Sequence, residues 1–365
     1  GRYRQILSQK YGVSGTYFYE IINKGASISF SILSKVCDSQ NINFSDLGSI
    51  SINVYGGGTK NKTKSVKIPN EVNEELAYVV GALISDGHLS KNYVDFCCFE
   101  EGFKNSVKKK LLNLFGRFDS YYDDTRIYFC NQFISFYFNR IFEVPIGKKS
   151  HLVKIPEIIF KSDNRVIASF IRGLFDGDGT ANAGLSYKTN SKELVYGITY
   201  LLARLGIYSY IKTANNGWRL NIPSPYYSKY FELIGFNSKS KKEKLNKMLG
   251  RQLDRKSFIR HDRVPSTPFF SVIRKLDISY YEIMKHCRVS YNRRYYETIS
   301  RSLARDLFNE FMKKKNLGLV KDEISYIKWL LNSQQEFVKI NKVELLDNNE
   351  NVYDIELEPC KFFIA

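Results

Sequence analysis

The sequence is poor in the residues that build zinc and disulfide sites. Its 365 residues include 6 cysteines and 4 histidines, and these form neither a C-x-x-C nor an H-E-x-x-H pattern. A zinc site is therefore not expected, and the thiols are predicted to be core residues in a reducing compartment. Long hydrophobic runs are also missing, since no apolar stretch approaches the roughly 18 residues of a membrane span. We expect an intracellular protein, cytoplasmic or nuclear, that does not act at a membrane.

Acidic residues are scarce relative to basic ones. The chain has 37 Asp and Glu against 55 Lys and Arg, which gives a net charge of +18 and a pI near 9.4. A positive charge this large favours a polyanion as partner, and nucleic acid is the usual one. A lysine-rich composition bias would also raise the charge, so composition alone does not decide the partner.

One short stretch occurs twice. Residues 78–87 read YVVGALISDG, and residues 170–179 read FIRGLFDGDG. In each helical pattern, small residues four apart share one face, so two such helices could pack almost backbone to backbone. Each copy ends in an acid followed by glycine, which suits the position that closes a helix. The two acids, Asp86 and Asp178, are 178 − 86 = 92 residues apart.

These two aspartates are the candidate metal ligands. An acid in the last turn of a helix lies at the negative end of the helix dipole, which costs a few tenths to about 1 kcal/mol unless a cation offsets it. Mg2+ prefers oxygen ligands and often binds phosphate as well. A single Asp-Gly could equally be an ordinary helix end, but two copies favour a shared metal site.

Both stretches resemble the signature of the LAGLIDADG homing endonucleases, in the single-chain form with two copies. The second copy is close to the family pattern, whereas the first has Ile84 where an acid is common. The resemblance implies an α/β (α+β) fold, with a duplicated αββαββα core around a pseudo-twofold axis. It also implies a monomer that makes a double-strand break in a long specific site of double-stranded DNA with Mg2+ or Mn2+. Asp86 and Asp178 would be its catalytic metal ligands.

The chemistry also needs cations near the developing charge, and each repeat offers a lysine. Lys154 follows Asp86 by 154 − 86 = 68 residues, and Lys241 follows Asp178 by 241 − 178 = 63. Both lie in segments that resemble the lysine-bearing segments of the family, so they are predicted to orient the attacking water. Close rivals are Lys148, Lys149, Lys239 and Lys242.

The chain is predicted to contain six segments in order. They are a helix-turn-helix-like domain (1–48), a linker (49–70), two repeats (71–160 and 161–250), a basic helical module (251–335) and C-terminal strands (336–365). After each signature helix the pattern predicts strands and a helix, and residues 120–138, rich in Tyr and Phe, are predicted to be strands. Lys188 and Arg219, on the polar face of the second repeat, are candidate DNA contacts or members of an ordinary solvated face.

The first 48 residues resemble the helix-turn-helix of Cro/repressor-type domains. In that fold the helix over residues 13–23 would enter the major groove. Its candidate DNA contacts are Ser14, Thr16, Tyr17 and Lys24. A generic three-helix packing unit is the alternative.

The last two segments differ in character. The basic module could line phosphates with arginines or simply expose a solvated face; its candidates are Arg255, Arg293, Arg294, Arg301 and Arg305. Residues 336–365 resemble the C-terminal strands of an intein splicing domain. Lys361 stands where a histidine is expected, so self-splicing by this chain alone is not expected. Two other functions stay open, a nucleic-acid-binding relative without nuclease activity (an RNA maturase or regulator) and a fragment of a splicing intein.

Overall fold

The computed structural model describes residues 2–26, 28–42, 52–54, 64–69, 71–97, 100–116, 120–122, 125–130, 132–253, 263–279, 281, 297–333 and 337. By its internal contacts the chain divides into two compact units, Gly1–His261 and Asp262–Ala365. The first unit contains the N-terminal helices and both repeats.

The N-terminal segment contains three helices, α1 (Arg2–Tyr11), α2 (Gly15–Lys24) and α3 (Phe30–Gln40). They enclose a small core of Tyr11, Phe18 and Ile32. The third helix also contributes Cys37 to the large core of the repeats, and Asp38 forms an ion pair with Arg140 of the first repeat. The N-terminal helices are thus joined to the first repeat by apolar contact as well as by charge. Within the segment predicted to be a linker, β1 (Ile52–Val54) and β2 (Lys64–Val66) pair in antiparallel fashion.

The two repeats have the same order of elements. The first consists of α4 (Glu74–Ser85), β3 (Gly87–Leu89), β4 (Val94–Cys97), α5 (Glu101–Phe115), β5 (Ser120–Tyr122), β6 (Arg126–Phe129) and α6 (Gln132–Phe142). A short helix, α7 (Glu157–Phe160), connects the first repeat to the second. The second repeat consists of α8 (Asn164–Gly177), β7 (Gly179–Ala181), β8 (Leu185–Thr189), α9 (Lys192–Arg204), β9 (Tyr210–Ala214), β10 (Gly217–Ile222) and α10 (Tyr227–Leu233). Helix α11 (Lys239–Leu253) follows it. The sheets are antiparallel with strand orders β3-β4-β6-β5 and β7-β8-β10-β9. The predicted duplicated αββαββα core is confirmed.

One predicted element is wrong. The aromatic stretch 120–138 was expected to be strands throughout, but strand β6 ends at Phe129 and helix α6 begins at Gln132. The buried positions along α6 follow helical spacing rather than alternating as in a strand, and they include Phe133, Ile134, Tyr137 and Phe138. Tertiary burial of one helical face outweighs the strand preference of aromatic residues.

The core of the repeats is built on the pair α4 and α8. A Cβ added to Gly81 would overlap the carbonyl oxygen of Phe170, and one added to Gly173 would overlap that of Tyr78. Each contact reproduces the other after a shift of 92 residues, since 173 − 81 = 92 and 170 − 78 = 92. The two helices therefore cross around a local pseudo-twofold axis at backbone distance, as the spacing of small residues predicted.

The second unit has its own apolar core. Its described elements are β11 (Arg263–Pro265), α12 (Thr267–Lys275), β12 (Thr298–Ser300), α13 (Arg301–Phe311) and α14 (Lys321–Asn332). Two of the arginines considered for phosphate contact serve the fold instead. Arg301 is buried and donates to the carbonyl of Leu330, and Arg305 donates to that of Leu331 at 3.5 Å. Both satisfy carbonyls at the end of α14, where a cation is favourable.

No helix among the described residues is long and apolar enough to cross a membrane.

Replacing Gly81 with Ala is expected to lower the free energy of unfolding by about 1–3 kcal/mol or more, because the new methyl group forces α4 and α8 apart. Urea denaturation followed by circular dichroism measures the change. Gly250 is the matched control, since it is a helical glycine whose added Cβ meets nothing within 4 Å. Gly250→Ala should stabilise by about 0.5–1 kcal/mol. Equal stability of Gly81→Ala and the unsubstituted protein would contradict the close crossing.

Candidate active site at the ends of the paired helices

Both signature helices end at an aspartate. Asp86 is the C-terminal cap of α4 and Asp178 that of α8, and each backbone N–H donates at 3.0 Å to a carbonyl four residues earlier. The following glycine begins a strand in each repeat. A Cβ on Gly177 would lie 3.0 Å from Oδ2 of Asp86, so this carboxylate reaches across to the end of the opposite helix.

Both carboxylates ionise less readily than an ordinary aspartate. Burial, and then the charge of Asp178, raise the pKa of Asp86 from 3.8 to about 6. The pKa of Asp178 is also raised, chiefly by burial, although nearby cations and the hydroxyl of Tyr187 oppose the rise. That hydroxyl donates to Oδ2 of Asp178 at 3.4 Å. Two acids held so close retain their negative charge only if cations compensate them.

Two lysines supply part of that compensation. Nζ of Lys241 donates to the carbonyls of Phe175, Asp176 and Gly177 at 3.0, 2.6 and 2.6 Å. Nζ of Lys149 donates in the same way to the carbonyls of Leu83, Ile84 and Ser85, the latter two at 2.6 and 3.2 Å. These are unsatisfied carbonyls of the last helical turn, where a cation opposes the helix dipole.

The lysines and the aspartates are arranged crosswise. Lys241 lowers the pKa of Asp86 more than Lys149 does, and Lys149 lowers that of Asp178 more than Lys241 does. The position of Asp86 beside Gly177, whose carbonyl binds Lys241, explains this order. Burial in turn lowers the pKa of Lys149 to about 8 and also lowers that of Lys241.

The structure does not bring Lys154 to this pair. Its ammonium is about half exposed and lies 2.7 Å from the carboxylate of Glu143. Lys149, one of the rivals, occupies the place expected for the first-repeat lysine. Spacing could have identified it, because 149 − 86 = 63 equals 241 − 178 = 63 and Lys154 does not fit that offset.

A further acid of the second copy lies behind the site. Asp176 is 4% exposed, and its carboxylate accepts hydrogen bonds from the hydroxyl of Tyr78 at 2.8 Å and from the backbone N–H groups of Asn237 and Ser238. Burial raises its pKa and these donors oppose the rise. Nothing in the sequence alone connects it with Tyr78 or with the segment before α11.

The sheet of the second repeat carries a row of basic residues on its outer face. Lys188, Arg219 and Lys212 lie directly opposite one another on β8, β10 and β9, and all three are exposed. Their strand neighbours Tyr187 and Leu220 point to the other face and are buried. Like charges in direct cross-strand register destabilise a sheet unless an anion covers them.

An open cavity of about 310 Å3 extends from Lys188 of this row to Asp178. Its lining includes Lys188, Tyr187, Asp178 and Lys149.

The sheet of the first repeat presents different chemistry. His88, Asp95 and Tyr128 are cross-strand neighbours on β3, β4 and β6, and Arg126 is paired with Cys97 one step away. Asp95 is 6% exposed and 4.0 Å from Arg126. Its Oδ1 has no hydrogen-bond partner among the described residues.

The candidate contacts of the N-terminal helices separate into two groups. Ser14 caps α2 by accepting from the N–H of Tyr17 at 3.2 Å, and the hydroxyl of Tyr17 accepts from the N–H of Ser29. Thr16 and Lys24 are exposed, with Lys24 3.7 Å from Glu20. Arg255, Arg293 and Arg294 lie outside the described residues, as do the C-terminal strands predicted over 336–365 except for residue 337.

The carboxylates are suited to a divalent metal. Among the described residues no three metal-binding side chains cluster, so Asp86 and Asp178 would have to share the ion with water or phosphate oxygens. Such mixed oxygen coordination is what Mg2+ uses. The raised pKa values of both acids also fit, since a bound cation favours the ionised carboxylate and would oppose the rise that burial causes.

Comparison with known proteins identifies the second repeat. Residues 165–235 match the model of the LAGLIDADG-like domain family. Since the first repeat has the same order of elements, the duplicated core has the LAGLIDADG fold. The crystal structure of I-DmoI in complex with DNA and Mn is similar to part of this chain. The match covers 45% of this chain and 98% of the I-DmoI chain, with 18% sequence identity and a TM-score of 0.36.

Two curated relatives come from Methanocaldococcus jannaschii. DNA-directed RNA polymerase subunit Rpo1C is 28% identical over 83% of this chain and 36% of its own length. Glutamine–fructose-6-phosphate aminotransferase is 27% identical over 100% of this chain and 33% of its own length. The chain spans about a third of the length of these curated relatives.

Asp86→Asn is expected to stabilise the metal-free protein at pH 8. Because the folded-state pKa of about 6 is above the ordinary value of 3.8, the ionised carboxylate costs stability above about pH 6, and the cost disappears as the pH falls toward about 4. The gain should be about 1–3 kcal/mol at pH 8, from 1.36 kcal/mol per pKa unit, and roughly half of that at pH 5. Urea titrations at both pH values measure it. A gain that grows toward low pH would contradict the carboxylate repulsion.

Proposed function

We propose that this chain is a site-specific DNA endonuclease that hydrolyses phosphodiesters in both strands of a duplex. The observation that carries the proposal is the pair Asp86 and Asp178, at the ends of the crossed helices, with one half-buried lysine at the end of each helix. A site built twice around one axis suits a substrate with two antiparallel strands. The acids are retained although their repulsion costs stability, which favours a nuclease over a relative that only binds nucleic acid.

The chain's own residues have distinct tasks in this reaction. Mg2+ or Mn2+ would be held by Asp86 and Asp178, and when bound it supplies the Lewis acidity that phosphodiester hydrolysis needs. Lys149 and Lys241 hold their ammonium groups beside the carboxylates, where they stabilise negative charge on the phosphate and orient water. The pKa of Lys149, lowered to about 8, allows its Nζ to exchange a proton with that water near neutral pH. The crosswise arrangement makes each cut depend on both repeats.

The proposed DNA surface is formed by the outer faces of the two sheets. The row of Lys188, Arg219 and Lys212 is suited to phosphates, which would remove the repulsion between these side chains. The other sheet offers hydrogen-bonding and aromatic groups suited to base edges. Thr16 and Lys24 remain predicted contacts of the N-terminal helices, as do Arg255, Arg293 and Arg294 of the basic module.

The relatives support an origin as an inserted element. An RNA polymerase subunit and an aminotransferase have unrelated printed names, yet each shares with this chain a segment of about a third of its own length. A segment that two proteins with such different names share is not explained by the reaction of either protein. Insertion of one coding element into both genes explains why both contain it. We therefore propose that the chain is the endonuclease part of an intein, with the uninterrupted coding sequence as its target.

Asp178→Asn is expected to abolish cleavage while leaving DNA affinity within about threefold, since one carboxylate ligand of the metal is lost but the DNA surface is not. The substrate is an end-labelled duplex spanning the uninterrupted form of the coding sequence that contains this chain, incubated with Mg2+. Lys149→Met should slow cleavage about 100-fold, while Lys154→Met should change it by less than about twofold. Full activity of Asp178→Asn in Mg2+ would refute the proposal, and the reverse order of the two lysines would reassign the cation to Lys154.

Replacing Lys188, Arg219 and Lys212 with Ala in one variant is expected to weaken DNA binding and to make it less sensitive to salt. The slope of log affinity against log salt should fall by up to about 3 × 0.9 = 2.7, because each lost phosphate contact removes about 0.9. Fluorescence anisotropy of a labelled duplex between about 50 and 200 mM salt measures it. Lys161 is the control, since it is exposed, pairs with Glu157 at 2.6 Å and precedes the end of α8 remote from Asp178. An unchanged slope in the triple variant would remove this sheet from the DNA surface.

A further inference from the structure

The second signature helix has a buried carboxylate that the first lacks. Asp176 corresponds to Ile84 under the shift of 92 residues, since 176 − 84 = 92. Both side chains are buried, at 4% exposure each. A buried carboxylate is costly unless it is fully hydrogen-bonded, so its presence in one half alone requires an explanation from its contacts.

The contacts of Asp176 lead to the start of α11. Oδ1 accepts from the N–H of Asn237 at 3.0 Å and from that of Ser238 at 3.1 Å, directly before the helix begins at Lys239. Oδ2 accepts from the hydroxyl of Tyr78 on the opposite signature helix at 2.8 Å. The Ser238 hydroxyl in turn accepts from the N–H of Lys241 at 3.3 Å.

These bonds form a closed path around Lys241. From the Asp176 carboxylate the path runs through Ser238 to the backbone of Lys241, and the Lys241 ammonium then donates to the backbone carbonyl of Asp176 at 2.6 Å. A second carboxylate supports the same turn, because Glu100 accepts from the N–H of Lys239 at 3.0 Å. The backbone N–H and the ammonium group of Lys241 are therefore both linked to Asp176.

The first-repeat lysine is held differently. Lys149 lies in the connection between α6 and α7, and at the corresponding helix position Ile84 offers only its backbone carbonyl. One backbone bond, from the N–H of Gly147 to the carbonyl of Leu89 at 2.8 Å, ties this connection to the first sheet.

We propose that Asp176 is a positioning residue for Lys241, and that it sets the rate at which one of the two DNA strands is cut. The proposal rests on the proposed endonuclease function. Asp176, unlike Asp178, is not a metal ligand in this proposal. Its task is specific to one half of the site. The strand concerned is the one slowed by substituting Lys241.

The test compares Asp176→Asn with Lys241→Met on a duplex labelled on either strand, under single-turnover conditions with Mg2+. Asn has one acceptor oxygen where Asp176 has two, and it carries no charge. Its oxygen can keep the bonds from Asn237 and Ser238 only as weaker neutral bonds, and the second bond from Asn237 is lost, so the turn should be held less firmly. A misplacement of about 1 Å in a catalytic group can cost about 100-fold. We expect the strand slowed by Lys241→Met to be slowed about 10- to 100-fold, the other strand to change less than about threefold, and nicked DNA to accumulate. The dissociation constant for DNA should stay unchanged.

Two further variants separate positioning from general stability. Ser169→Ala removes a buried hydrogen bond across the same helix pair, from Ser169 to the carbonyl of Glu74 at 2.7 Å, at the end remote from the aspartates, and should leave the ratio of strand rates unchanged. Tyr78→Phe removes one donor to Asp176 and should slow the same strand as Asp176→Asn, by a smaller factor. Equal slowing of both strands by Asp176→Asn, or none, would overturn the proposal.

Amide hydrogen exchange tests the anchoring without DNA. Asp176→Asn should speed exchange at Asn237 and Ser238 by at least about 10-fold while Ser169→Ala does not, and unchanged exchange would overturn the anchoring. Absence of Mg2+-dependent cleavage by the unsubstituted protein would count against the endonuclease, whereas the exchange result decides the role of Asp176 by itself.

Discussion

Contact between two helix backbones is the constraint on which the repeats depend. At Gly81 and Gly173 a side chain of any size would collide with a carbonyl oxygen of the opposite helix. Only this distance allows the ends of α4 and α8 to meet, so that Asp86 lies beside Gly177. The sheets, attached through glycines that follow the aspartates, are then placed symmetrically on either side. The close packing of the two helices and the meeting of their ends near Asp86 both follow from the four-residue spacing of small residues.

The charges at the ends of the paired helices cost stability. The charge of Asp178 disfavours the ionisation of Asp86, and the helix dipoles add to the unfavourable potential. Lysines bound to the last carbonyls of both helices offset part of it without neutralising the carboxylates by direct contact. The remaining negative potential is what a divalent cation needs. Active sites commonly retain such unfavourable charge at the expense of folding energy.

Sequence patterns predicted the features that repeat and missed those that do not. The duplicated stretch was enough to predict the core, the helix pair and the two aspartates, because spacing on a helix determines which residues share a face. Helix α6 was missed because Phe and Tyr favour strands locally while its burial is a tertiary effect. Lys149 shares with Lys241 the offset of 63 residues from its aspartate, and Lys154 does not. The bonds of Asp176 join residues 61 or more positions apart, which no local pattern reveals.

Covalent linkage of the two repeats has freed them to diverge. In a homodimer, any change on one sheet appears on the other, so both faces must present the same groups. Here one face carries Lys188, Arg219 and Lys212, while the other carries His88, Asp95 and Tyr128. The two faces of a single chain therefore need not carry the same groups. Each half can acquire new substitutions independently, so a change on one sheet leaves the other sheet intact.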